Sequence, residues 1–211
     1  MKEYKEESVV TSTISLFIDL IFAGILWLLT SLPIITIGPA SSALYYTVTK
    51  AVRHGRGRIA PTYFSAFRSN FKQGLVIWLI YLAYVAVGAA DLYALKQMGV
   101  EAGTTLDYIS KFFFLPALLT LTWVFPFISR FENTLARTLK IVALISIKNI
   151  IRTVALTALL LLFALVVWLV PLTVWLLPGV FCLLMSHIIE PVFKALTKHS
   201  QDSNIDQWYN E

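Results

Sequence analysis

TVALTALLLLFALVVWLV, residues 153–170, carries no charged side chain in 18 positions. As an α-helix it rises ~27 Å, close to the ~30 Å of a bilayer's hydrocarbon, and a charge-free run of that length reads as a transmembrane helix. Four further long apolar runs surround it, three of them with a single charge (Asp19, Asp91 or Lys111): Ile14–Leu32, Leu75–Leu95 and Tyr108–Ile128 before it, and Leu172–Ile189 after it. Composition agrees. Of 211 residues, 58% are hydrophobic and only 14% charged, about half the charged share of a soluble domain. A soluble fold of this size buries only roughly 70% of its surface, too little to hide so much apolar side chain. The expected fold class is therefore all-α: a polytopic transmembrane helix bundle forming one domain over residues 1–199, followed by a polar tail, 200–211.

The formal net charge of +5 would suggest nucleic acid in a soluble chain. Here the basic residues gather in two connections. Lys50–Lys72 contains Lys50, Arg53, Arg56, Arg58, Arg68 and Lys72 and no acid; Arg130–Arg152 contains Arg130, Arg137, Lys140, Lys148 and Arg152 against Glu132 alone. That is the positive-inside distribution, so both connections and the C-terminus are expected in the cytoplasm and no nucleic-acid partner is expected. Within the first connection Pro61–Gln73 reads as a short amphipathic helix, Pro61 suiting the first helical position. Phe64, Phe67 and Phe71 form one row, with Arg68 and Lys72 on another flank, a pattern suited to the headgroup plane. In the second, Arg137, Lys140, Lys148 and Arg152 fall within about 120° of arc, describing another basic amphipathic helix that starts near Asn133 or Thr134. Trp168 and Trp175 bracket the reversal at Pro171 as an aromatic belt does.

The segment after the first run is the ambiguous one. Ile14–Leu32 is read as a retained anchor, since the stretch before it is acidic on balance and no A-x-A site follows. Pro33 and Gly38-Pro39 then interrupt the helix. Ala40–Val52 can resume as a helix of ~20 Å, too short to cross alone. Either it lies at the interface, giving five crossings and an N-terminus outside, or it belongs to a sixth, bent crossing that puts the N-terminus inside. Five is the preferred count.

LTSLPIITIGPASSALYYTVTK at Leu29–Lys50, YFSAFRSNFKQG at Tyr63–Gly74 and WVFPFISRFENT at Trp123–Thr134 resemble, in the same order, the YesL-like family of bacterial membrane proteins. The Pro-x-x-Thr-x-Gly-Pro-Ala break beside the aromatic-basic helix carries the resemblance. It implies a bacterial plasma-membrane protein of unknown biochemical activity, with a role in carbohydrate uptake or its regulation. The partners implied are an ABC-type sugar permease or its ATPase, or a sensor kinase. The family brings no catalytic residues with it.

The residues offer little chemistry. Asp19, inside the first run, reads either as an ion or sugar contact or as a carboxylate shallow enough for water to reach. Pro33, Thr36, Gly38 and Pro39 form a helix break of the kind that coordinates substrates in transporters. At the interface the same break is a mere bend leading to a surface helix, which is the better reading. His187 and Glu190, three apart, can pair across one turn, though at a helix exit a cap or local hydrogen bond is the better reading. Tyr45, Tyr46, Tyr81 and Tyr84 suit packing and anchoring more than a sugar path. Asp91, Glu101 and Asp107 gather loosely near one outer connection without a supporting His or metal ligand. The one cysteine, Cys182, is expected buried and inert. His54, His187 and His199 have no ligand spacing, so no metal and no cofactor is expected. No G-x-x-x-x-G-K-[ST], G-x-S-x-G or H-E-x-x-H pattern occurs, and no enzymatic activity is expected. The leading expectation is an accessory or assembly subunit that docks a partner through Phe64, Phe67, Arg68, Phe71 and Lys72. A small self-contained transporter or channel, using Asp19, the Pro33–Pro39 break and Thr120, is the alternative.

Overall fold

The computed structural model describes residues 2–54, 58–99 and 103–199. Eight α-helices follow in order: α1 Lys2–Ser31, α2 Ile37–Thr47, α3 Ile59–Ser69, α4 Phe71–Gln97, α5 Thr105–Ile128, α6 Leu135–Lys148, α7 Ile150–Leu169 and α8 Leu177–His199. Short 3-10 turns at Ile34–Thr36 and Pro171–Trp175 precede α2 and α8, and a π-helical turn, Val48–Arg53, extends α2. No strand occurs among the described residues. The tail 200–211 and Glu101 lie outside them.

Five helices, α1, α4, α5, α7 and α8, are long and apolar enough to cross a membrane. Their outward surfaces are what a lipid solvent demands: only 11% of the α4 span and 17% of the α7 span is buried, and Ile151, Trp168 and Phe112 stand 84%, 78% and 69% exposed. A water-facing surface so continuously apolar would aggregate. Neighbouring spans fix one another's direction. Tyr81 donates to Thr120 Oγ1 at 2.7 Å, and Tyr84 stacks on Phe113 at 4.2 Å, so α4 and α5 run antiparallel. Trp123 Nε1 reaches Thr153 Oγ1 at 3.0 Å, joining α5 to α7, and Phe163 stacks on Phe181 at 4.6 Å, joining α7 to α8. α1 runs parallel to α8: Gly24 meets Pro178 and Gly179 near the start of α8, and Trp27, further along α1, faces the same cavity as Cys182 and Met185, further along α8.

The chain between α1 and α4 departs from the expected surface helix. α1 ends at Ser31, and the elbow that follows is exposed, Leu32 by 71% and Ile34 by 65%. Thr36 Oγ1 stitches the elbow by bonding Thr30 O at 2.5 Å and Pro33 O at 2.7 Å. α2 then turns into the bundle and is packed by α1, α3, α4, α5 and α8. Gly38, Pro39, Ala40, Ser42, Ala43, Leu44, Tyr45 and Thr47 are all buried. The sequence explains how a helix fits there. Gly, Ala and Ser let backbones approach closely, and Pro39 sits in the first turn, where it breaks no helical hydrogen bond. Thr47 and Thr49 hand their hydroxyl protons back to Ala43 O and Tyr45 O at 2.7 and 2.8 Å. α3 folds back along α2, Tyr63 donating to Ala40 O at 3.4 Å, and α4 begins with Gly74 against Pro39. The hairpin thus starts and finishes at the same end of the bundle, so Pro33–Val52 makes no sixth crossing.

Three boundaries differ from the sequence reading. The amphipathic helix expected over Pro61–Gln73 stops at Ser69, and Phe71 and Lys72 open α4 instead. The last span is shifted later, because Pro171–Trp175 forms a 3-10 turn and α8 continues through Glu190 and Pro191 to His199. The second basic helix starts after Thr134 as expected, but Asn149 separates α6 from α7.

Candidate functional site: a buried ionic latch below an apolar cavity

The end of the bundle that holds the α2–α3 hairpin also holds a buried ion pair. Glu190 is the only acidic residue of α8 and is 2% exposed. Its Oε1 accepts the Tyr45 hydroxyl of α2 at 2.8 Å, and its Oε2 pairs with Arg130 Nη2, just beyond α5. The Arg130 and Glu190 side chains are 1% and 3% exposed. The guanidinium also lies 5.7 Å from the centre of the Phe193 ring, within cation–π range. Phe193 is itself packed by Trp123, Phe127 and Phe131. One ion pair therefore ties α2, α5 and α8 together in an apolar surround. Such a pair contributes little net stability when intact, but losing one partner costs about 3–5 kcal/mol, because a charge is left buried alone.

A second tie lies beside it. The π turn that ends α2 aims Arg53 at α8, where Nη1 donates to Ser186 O at 3.2 Å. From the other side, the Tyr63 hydroxyl lies 2.6 Å from Thr30 Oγ1 of α1. Burial raises the Tyr63 phenol above its ordinary pKa, the Thr30 contact partly offsetting this, so it stays protonated and able to donate. The hairpin is thus fastened to α1 and α8 by polar contacts, through Glu190 to Arg130 beyond α5, and to α4 by the Gly38–Gly74 approach. A Cβ on Gly38 would run into the Gly74 carbonyl and the Trp78 side chain.

Above the hairpin is an apolar cavity of about 240 Å³. Ile37, Ser41, Leu44 and Tyr45, one face of α2, line it together with α1, α4, α5, α7 and α8 residues. Its polar groups are engaged within the protein. Trp27 Nε1 donates to Ser41 Oγ at 3.1 Å, Trp78 Nε1 to Ile34 O at 2.7 Å, Thr122 Oγ1 to Leu119 O at 3.1 Å, and Tyr45 to Glu190.

The residues singled out from sequence distribute as follows. Gly38 and Pro39 are buried in the hairpin, Thr36 is half-buried and Pro33 exposed. Asp19 is half-exposed on α1, ~18 Å back from Ser31 at the helical rise, so it does not join the break. Phe64, Arg68 and Lys72 are exposed, whereas Phe67 and Phe71 are half-buried, their rings 5.4 Å apart. His187 does not pair with Glu190; it is exposed and its Nδ1 contacts Leu183 O at 2.9 Å. Asp107 lies in the first turn of α5, where its backbone N–H donates to the capping Thr104 Oγ1 and its carboxylate accepts from Gly103 N at 2.9 Å and Lys111 Nζ at 2.8 Å. Asp91 is exposed. Among the described residues no group of three or more His, Cys, Asp or Glu is placed to hold a metal ion. Sequence reading missed the Arg130–Glu190 pair because Arg130 counts equally well as a positive-inside charge. The available signal was an acid followed by Pro191 within an otherwise apolar helix.

These features define a polytopic α-helical membrane protein with a buried re-entrant hairpin at its basic end. The family model described as a protein of unknown function, DUF624, matches residues 20–92. That stretch covers most of the apolar part of α1, the elbow, the hairpin and nearly all of α4. No curated protein and no solved structure matches the chain.

Proposed function

We propose that this chain is a YesL-like, non-enzymatic accessory subunit of the bacterial plasma membrane, serving carbohydrate uptake by docking a sugar permease or its ATPase. Its basic end faces the cytoplasm under the positive-inside bias. The observation that carries the reading is that this end is closed and braced while its surface is cationic. The α2–α3 hairpin fills it, the Tyr45–Glu190–Arg130 contacts fasten it, and Arg68, Lys72, Arg137 and Lys140 stand exposed there with Phe64. A braced surface with a protruding aromatic and surrounding cations suits a partner's groove better than a pore mouth. The link to carbohydrate rests on the family resemblance, an associational argument.

Purification of the intact chain from native membranes under gentle solubilisation tests this. Co-elution of a permease or ATPase, lost in Phe64→Asp/Arg68→Glu, supports the reading; elution alone contradicts it. A self-contained transporter is the second reading, favoured by the cavity within the bundle. The cavity's lining works against a sugar, whose hydroxyls would find few free partners. No flux of sugars or ions above empty liposomes would remove that reading.

A further inference from the structure

We propose that the cavity above the α2 hairpin is a binding site for the hydrocarbon chain of a membrane lipid. Its walls come from all five spans together with α2, so the medium around the bundle is hydrocarbon. The lining selects against polar occupants. Both indole N–H groups already donate within the protein, to Ser41 Oγ of α2 and to Ile34 O of the elbow, and so do the Thr122 and Tyr45 hydroxyls. A water needs two to four polar partners, and a headgroup or sugar needs more. A hydrocarbon chain needs none, and gains contact with Trp27, Trp78, Phe125 and Met185. The cavity's volume of about 240 Å³ is several times the ~30 Å³ share of one water, enough to seat a stretch of chain. The site is independent of partner docking, which uses the opposite, cationic side of the hairpin.

The full chain is reconstituted into phosphatidylethanolamine vesicles containing phosphatidylglycerol with a diazirine on one acyl chain or, in parallel, a diazirine-bearing polyprenyl phosphate. After irradiation, adducts are mapped by peptide mass spectrometry. Cys182 and Met185 are 5% and 7% exposed, so a chain lying on the outside of the bundle cannot reach them. Adducts at both, beside belt adducts at Ile151 and Trp168, are expected from at least one probe, and the probe that labels them says which kind of chain is held. Leu160→Trp on the α7 wall, and Leu121→Trp on the α5 wall, should each lose the inner adducts while keeping the belt adducts. The belt adducts show that the variant is still folded in the bilayer. Labelling confined to the belt with both probes would overturn the site, as would inner adducts that survive in both filled variants.

Discussion

At the scale of single residues, the pair formed by Arg130 and Glu190 dominates the energetics of the basic end. Arg130→Met leaves the Glu190 carboxylate buried without its partner, and a loss of about 3–5 kcal/mol is expected, read as earlier denaturant unfolding in detergent micelles. Arg130→Met combined with Glu190→Met removes both charges and should recover much of that loss, because an apolar replacement carries no desolvation cost. Tyr45→Phe removes one hydrogen bond to a charged group and should cost about 1.5–3 kcal/mol in the same measurement. These effects are local in sequence terms to no single segment, since the three residues come from α2, the end of α5 and α8.

At the scale of elements, the α2–α3 hairpin is what distinguishes this bundle from five spans and their loops. Gly38→Ala forces apart the elbow end of α2 and the start of α4, and a loss of about 1–3 kcal/mol follows from overpacking. Burial can be read chemically. In a Cys182→Ala background, Phe64→Cys should react with a thiol reagent and Ala43→Cys, wholly buried, should not; reaction at Ala43→Cys would remove α2 from the interior. The spans are legible in the sequence because a long apolar run needs no partner to be recognised: Leu75–Leu95 falls inside α4, and Thr153–Val170 overruns α7 by one residue. The ends of the elements were less legible. Asn70 ends α3 one residue before α4, and that break is set by how α4 packs against the hairpin. The interior placement of α2 was not legible. ALYYTVT reads equally as interfacial or buried, and only the partners of Tyr45 and the approach of Gly38 to Gly74 decide. The candidate site is half legible: Gly38 and Pro39 stand out in the sequence, but for Glu190 the sequence offers only a cap, a local hydrogen bond or His187, and its ionic partner lies 60 residues away.

At the scale of the whole molecule, five spans with a hairpin that returns to its own side put the start of α1 and the end of α8 on opposite sides of the membrane. Lys72, Arg137 and Lys140 then share one side, and Met98 and Thr173 share the other. The medium matters as much as the count, since a surface exposing Ile151, Trp168 and Phe112 is stable only against hydrocarbon. Sidedness in sealed vesicles brings these points into one experiment. Lys72→Cys, Lys140→Cys, Met98→Cys and Thr173→Cys are placed singly in the Cys182→Ala chain and exposed to a membrane-impermeant maleimide before and after the vesicles are opened. Lys72→Cys and Lys140→Cys should respond as one pair, and Met98→Cys and Thr173→Cys as the opposite pair. Lys72→Cys and Lys140→Cys responding from opposite sides would contradict the five-span bundle.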